Sequence, residues 1–337
     1  MENLRSSKSF IDNKSKINYW IKLILFIIIG VLFSYGLLVY NNPIPINSPS
    51  FLPVVKRRIN ALIAMLIAAV CQSLATITFQ SVTNNRIITP SLLGFEALYS
   101  TLHTSIIFFT GITGLLSFSG LPAFIFQIAL MVSVCIILYG WFLTGRYPDI
   151  QLMLLIGVII GTGLKSLSSF MRKLLSPSEF DVLQAKLFGS VNNANPEYFV
   201  LSGIIVLISA IFLFILSKKI NVLSLNKDIS IVLGLEYKNY LILSLILVSF
   251  LMAISTSLVG PLTFYGFLVA TLTYEIANTF DHKYIFPMSL SIGFIIITAS
   301  YFIMQHVFNA QGVVSVIIEL LGGIIFLSMI LRKGKLQ

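Results

Sequence analysis

Apolar residues run through this chain in long stretches, separated by short polar joints. Ten stretches stand out, at 18–39, 58–80, 91–110, 121–143, 151–171, 197–217, 239–259, 262–278, 285–307 and 313–331. A helix needs about 20 mostly apolar residues to cross a hydrocarbon core about 30 Å thick. Each stretch therefore predicts a transmembrane helix. The expected fold class is an all-α integral membrane protein of about ten spans. Joints such as NNPIPINSP (41–49) and VNNANPE (191–197) carry turn-forming residues. The eighth stretch follows Gly260-Pro261, which ends any helix arriving from 239. The expected organisation is a tail at 1–17, a membrane domain at 18–332 and a tail at 333–337.

The longest polar interruption is KKINVLSLNKDISIVLGLEYKN (218–239). Ile220, Val222 and Leu223, then Ile229, Val232, Leu233 and Leu235, recur near helical spacing. Asn226 or Asp228 is placed to cap a helix start, and Gly234 to end one. One or two short amphipathic helices are expected here. They either rest on lipid headgroups or offer a surface to a cytoplasmic partner.

Composition agrees: 57% of the 337 residues are hydrophobic and only 10% charged. Mean hydropathy is +0.96. Net charge is +10, which in a soluble chain would suggest nucleic acid. In a membrane chain it reads as cytoplasmic loops rich in Lys and Arg, facing anionic lipid. No nucleic-acid partner is expected. With the N-terminus inside, inner segments hold fourteen of the 22 Lys and Arg and outer segments six, the others being Lys22 and Lys165 within spans. Both termini are thus expected in the cytoplasm, with an uncleaved first helix. The basic triplet Lys56, Arg57 and Arg58 then faces outward, against the rule. It either snorkels to outer headgroups or docks an acidic extracytoplasmic partner.

Candidate chemistry is sparse. No GxxxxGK, HExxH, CxxC or GxSxG motif occurs. His103, His282 and His306 are far apart, so no metal site is expected. Cys71 and Cys135 lie in apolar runs and read as packing residues. No enzyme activity is expected. Charges inside spans usually face a bundle interior or a water-filled path. Lys165 in the fifth span and Glu319 in the tenth are such charges, expected either to pair with each other or to line a path. Glu96 and Glu275 are expected nearer inner span ends. Gly157 and Gly161 form a GxxxG that permits close approach, and Gly322-Gly323 permits close packing or a bend.

These residues also carry a resemblance. RRINALIAMLIAAVCQSLATITFQSVTNNRIITPSLLGFEA (57–97) resembles the second and third spans of permeases from the iron-chelate and vitamin B12 family of ABC importers. The matching positions are Arg58, Gln80, Asn85, Pro90, Leu93 and Gly94. Arg86 stands where the family usually has Pro. LSLNKDISIVLGLEYKN (223–239) resembles its coupling segment, VGPLTFYGFLVATL (259–272) its Gly-Pro segment, and DHKYIFP (281–287) its Asp-His turn. Ala270 and Thr271 replace a family Pro-His, and ELLGGIIFL (319–327) replaces Gly-x-Pro-Phe-Phe.

The resemblance implies a ten-helix permease subunit for iron-siderophore uptake, with cobalamin or haem as alternative cargo. A secondary transporter driven by an ion gradient is a further alternative. A second permease, a paralogue or a second copy, would complete the translocation path, to which Lys165 and Glu319 are candidates. Two cytoplasmic ATPase subunits would grip 218–238 through Leu223, Leu225, Lys227, Asp228, Gly234 and Glu236. They, not this chain, would bind ATP and Mg; no cofactor is expected here. An extracytoplasmic binding protein would dock at Lys56, Arg57 and Arg58, with Arg58 matching the family position.

Overall fold

The computed structural model describes residues 9–10, 12–40, 49, 51–144, 150–308 and 313–334. Most of the expected N-terminal tail, the 41–48 joint and residues 335–337 lie outside the described residues. Among the described residues there are twelve α-helices and no strand. They are α1 (Asn13–Val39), α2 (Phe51–Val82), α3 (Phe95–Ser117), α4 (Gly120–Thr144), α5 (Ile150–Lys173), α6 (Pro177–Leu187), α7 (Phe199–Leu223), α8 (Lys227–Val232), α9 (Tyr237–Val259), α10 (Tyr265–Ala277), α11 (His282–His306) and α12 (Val314–Gly334). Seven of them are long and apolar enough to cross a membrane by themselves. α3, α10 and α12 bring the total to the expected ten. α3 is broken at Gly111, and α10 has only 13 residues.

α2 is the central post. From Ala61 to Val82 nearly every position is buried, and α7, α9, α10 and α11 pack around it. Lipid tails are as apolar as leucine, so close contact rather than water exclusion holds such helices together. Ala64, Ala68, Ser73 and Ala75 supply that closeness. α1 is peripheral. Ile21, Ile24 and Leu32 are exposed, and Gly30 and Gly36 seat α1 against Phe294 and Phe302 of α11.

Two passages are not simple helices. After α2 ends, the chain runs without helix to a single 3-10 turn at Pro90–Leu93, and α3 begins only at Phe95. Gly94 joins them at φ +98, a left-handed conformation that glycine adopts without strain. It packs against Gly161, halfway along α5. A Cβ on Gly161 would stand 3.2 Å from the Gly94 backbone. The GxxxG of α5 thus receives a turn of chain rather than a whole helix. The second passage is Gly260–Phe264, where α9 stops and the short α10 starts, as the Gly-Pro pair predicts.

Helix α6 was not expected. It fills the joint after the fifth span, starting with Pro177 in its first turn. In a capping box, Glu179 accepts from the Ser176 backbone N–H while Ser176 Oγ accepts from the Glu179 N–H. This Ser-x-x-Glu signature stood in the sequence.

Candidate functional site

The two broken passages meet. Thr263, just before α10, donates from Oγ1 to Glu96 Oε2 at 2.9 Å. Glu96 lies in the first turn of α3, where unbonded backbone N–H groups favour negative charge. It is only 7% exposed. Its Oε1 is buried without a hydrogen-bond partner; the Ser91 hydroxyl is close by without bonding geometry. Glu96 is therefore at a junction of helix starts, not near an inner span end as expected. The span at 91–110 was counted from its inner edge, but the non-helical chain before Phe95 carries Glu96 to the level of the middle of α5. The signal was present: Pro and Gly interrupt ITPSLLG, the mark of a discontinuous span. Glu275 is exposed at the far end of α10.

Both expected path charges flank Glu96. Lys165 and Glu319 are exposed on this chain, and both lie within electrostatic reach of Glu96. The Glu319 carboxylate approaches the Thr263 hydroxyl from α12. The two do not pair with each other. Lys165 belongs to a polar stripe of Thr162, Ser166, Ser169 and Lys173, which lines a shallow recess of about 370 Å³. These positions share one face of α5. An adjoining face is fixed to α3, where Ser168 Oγ meets Ser100 and Thr104 at 3.1 and 2.9 Å. α5 thus presents a rigid polar face in an otherwise apolar setting.

A second surface lies at α8. The expected amphipathic segment forms one six-residue helix, because residues 218–223 continue α7. Asn226 takes the N-cap position without a side-chain cap, and Gly234 follows the C-cap at φ +78. Ser230 fastens α8 to α7, its Oγ donating to the Val222 carbonyl at 2.8 Å. The other face is bare: Leu225, Ile229, Ile231 and Leu233 are exposed, and Val232 is 85% exposed. Lys227, Asp228, Gly234 and Glu236 are exposed too. Leu223 is buried in the core and supports this surface from within. Beside α8 opens a recess of about 780 Å³, lined by Asn84, Gln151, Leu155 and Tyr237 among others.

The basic triplet sits on the first turns of α2. Lys56 and Arg57 are exposed. Arg58 is half-buried, and its Nη1 donates to the carbonyls of Leu37, Leu38 and Tyr40 at 3.1, 2.9 and 3.3 Å. Those carbonyls end α1, so Arg58 closes that helix and complements its dipole. The family-matched arginine thus has a structural task within this chain.

At the other end of α2, Gln80 Nε2 donates to the Arg86 carbonyl at 2.8 Å, and Asn85 Oδ1 accepts from the Ile87 N–H at 2.9 Å. Arg86, where proline was usual, lays its guanidinium over the Tyr274 ring at 4.7 Å. The Asp-His turn is a hub. His282 contacts Asn221 of α7 and Ser81 of α2, and Asn221 Nδ2 donates to Asp281 Oδ1 at 3.0 Å.

Residues 20–332 match the FecCD transport family. The chain belongs to that family. It is the iron-chelate permease family that the motifs resembled. The petrobactin import system permease protein FatC of Bacillus anthracis is 61% identical over 332 residues, 98% of this chain and 94% of that protein. A second permease protein of the petrobactin import system of that organism, FatD, is 22% identical over 82% of this chain and 81% of its own length. Among solved structures, an inward-facing metal-chelate type ABC transporter superposes with a TM-score of 0.76 at 17% identity, covering 93% of this chain and 99% of that one. That likeness shows that the two chains share an all-α fold.

Proposed function

We propose that this chain is a permease subunit of an ATP-driven importer for iron-siderophore complexes of the petrobactin type. The observation that carries the proposal is the 61% identity with FatC across nearly the whole of both chains. The organism of FatC has a second permease protein, FatD, with the same system name. The partner permease is accordingly a paralogue rather than a second copy, and the exposed stripe of α5 with Lys165 faces it across the path. Glu319 lies on the same path.

Two cytoplasmic ATPase subunits, which bind ATP and Mg, seat on the bare face of α8. Leu225, Lys227, Asp228 and Glu236 lie on that seat, and Gly234 shapes its end. Motion there passes through the Ser230 bond into α7 and through Asn221 and His282 into α2 and α11. The binding protein approaches Lys56 and Arg57 from outside, while Arg58 holds the end of α1 beneath them. Both termini then lie in the cytoplasm.

The test is uptake in a bacterium lacking this chain. Restoring it should return accumulation of radioiron presented as ferric petrobactin. Restoration without recovered accumulation would reject the proposal.

A further inference from the structure

We propose that the junction around Glu96 recognises a protonated amine on the cargo, with Glu96 and Glu319 as its acceptors. The inference rests on this face being the translocation path. The argument is a count of hydrogen-bond donors against acceptors. Thr263 has one hydroxyl proton, and it is given to Glu96 Oε2. Glu319 approaches the same hydroxyl, which cannot donate twice. Glu96 Oε1 is buried without a hydrogen-bond partner, the nearby Ser91 hydroxyl being out of bonding geometry. Lys165 acts on Glu96 only through space, with no hydrogen bond between them.

A purely structural role explains part of this. Glu96 pins the start of α3 to the start of α10 through Thr263, which accounts for Oε2. It accounts neither for the empty Oε1 nor for a second carboxylate at the same hydroxyl. A buried acceptor without a donor costs free energy, and with both carboxyls ionised the acceptors here outnumber the donors.

The missing component is a cation rich in donors. An ammonium group has three N–H donors and no acceptor, which suits a site made of carboxylates. Calcium or magnesium wants about six or more oxygen ligands, more than two carboxylates and one hydroxyl supply. Among the described residues no group of three His, Cys, Asp or Glu is placed to hold one. Exposed Glu319 forms the open side and buried Glu96 the inner stop. Lys165, on the neighbouring stripe of α5, has the opposite sign. A chelate with an anionic iron centre and a cationic arm would therefore be oriented as well as held.

The experiment uses the whole importer in proteoliposomes, with its binding protein and ATPases. Two ferric catecholate chelates are compared, one carrying a free primary amine arm and the other the same arm N-acetylated. The readout is the ratio of their uptake rates. Because each variant uses the same binding protein, that protein's own preference cancels between variants. Relative to wild type, E96Q and E319Q should each lower the ratio about tenfold, as expected for a lost charge-assisted bond, over and above any loss that the two chelates share. An unchanged ratio in both variants overturns the proposal. So does an equal change for both chelates with altered pH or sodium dependence, which would assign the site to a proton or alkali ion. Should E96Q fail to assemble, exposed E319Q alone decides. If the wild-type complex moves neither chelate, the transport reading fails instead.

Discussion

Thr263 donates to Glu96 across 2.9 Å, and this one bond joins the starts of α3 and α10. Both helices begin inside the bundle, after passages at Pro90–Gly94 and Gly260–Phe264 that are not α-helical. An unpaired backbone end is tolerated at such depth only where protein or a path surrounds it. The bond therefore ties together the two interrupted passages of the bundle.

Removing the hydroxyl should show this. Thr263→Val keeps the shape and takes away the donor, leaving both oxygens of a buried carboxylate without a side-chain donor. The expected loss is about 1–3 kcal/mol of stability. A lowered melting temperature in detergent, with the helical signal intact, checks it.

The contact between α5 and the turn before α3 leaves no space. Gly161→Val would drive its side chain into the Gly94 backbone, 3.2 Å from where a Cβ would stand. Overpacking of this kind costs about 1–3 kcal/mol. Gly163→Ala, two residues on, meets nothing within 4 Å and should not lower melting, since alanine favours the helix. Thermal melting of the two variants side by side is the comparison.

Within the basic triplet the two arginines should separate. Arg57→Glu, at an exposed site, should slow binding-protein association, most visibly at low salt, with little effect on melting. Arg58→Glu should instead destabilise the end of α1 by about 1–2 kcal/mol, because three carbonyls lose their donor and meet a negative charge. Stopped-flow association and thermal melting distinguish the two.

Asp281 gives a pH dependence. Partial burial pushes its carboxyl up, but bonds from Ser9, Asn221 and the Lys283 N–H, with His282 beside it, hold it below the ordinary value of 3.8. A lowered carboxyl stabilises the fold above its unfolded value and loses that effect as pH falls through the folded one. The melting difference between wild type and Asp281→Asn should be constant at neutral pH and shrink below about pH 4.

Much of this was legible in the sequence. The ten apolar stretches each became a helix, because span length is set by the bilayer and not by tertiary detail. Gly260-Pro261 announced its break. The α8 segment was readable because its apolar residues had no room to span. Three features were not read, for distinct physical reasons. α6 was hidden by its polarity, although Ser176 and Glu179 carried a cap signature. Glu96 was misplaced because counting residues assumes that a span begins at the surface, and Pro90–Leu93 does not. Arg58 was expected to snorkel to headgroups or to dock a partner, and its task at the end of α1 was not foreseen. Its bonds to Leu37, Leu38 and Tyr40 depend on how α1 and α2 come together, which no local pattern encodes.

The central claim is that this chain converts ATPase motion into passage of a ferric chelate, and Val232 tests it most directly. Val232→Asp places a charge on the bare face of α8, 85% exposed, where it disturbs nothing inside the chain. In proteoliposomes holding the complete importer, ATP-dependent accumulation of ferric petrobactin should fall at least tenfold, with ATPase subunits lost from the purified complex and melting of the permease unchanged. Undiminished accumulation in that variant, or accumulation by the wild type that an ion gradient drives without ATP, would contradict the account.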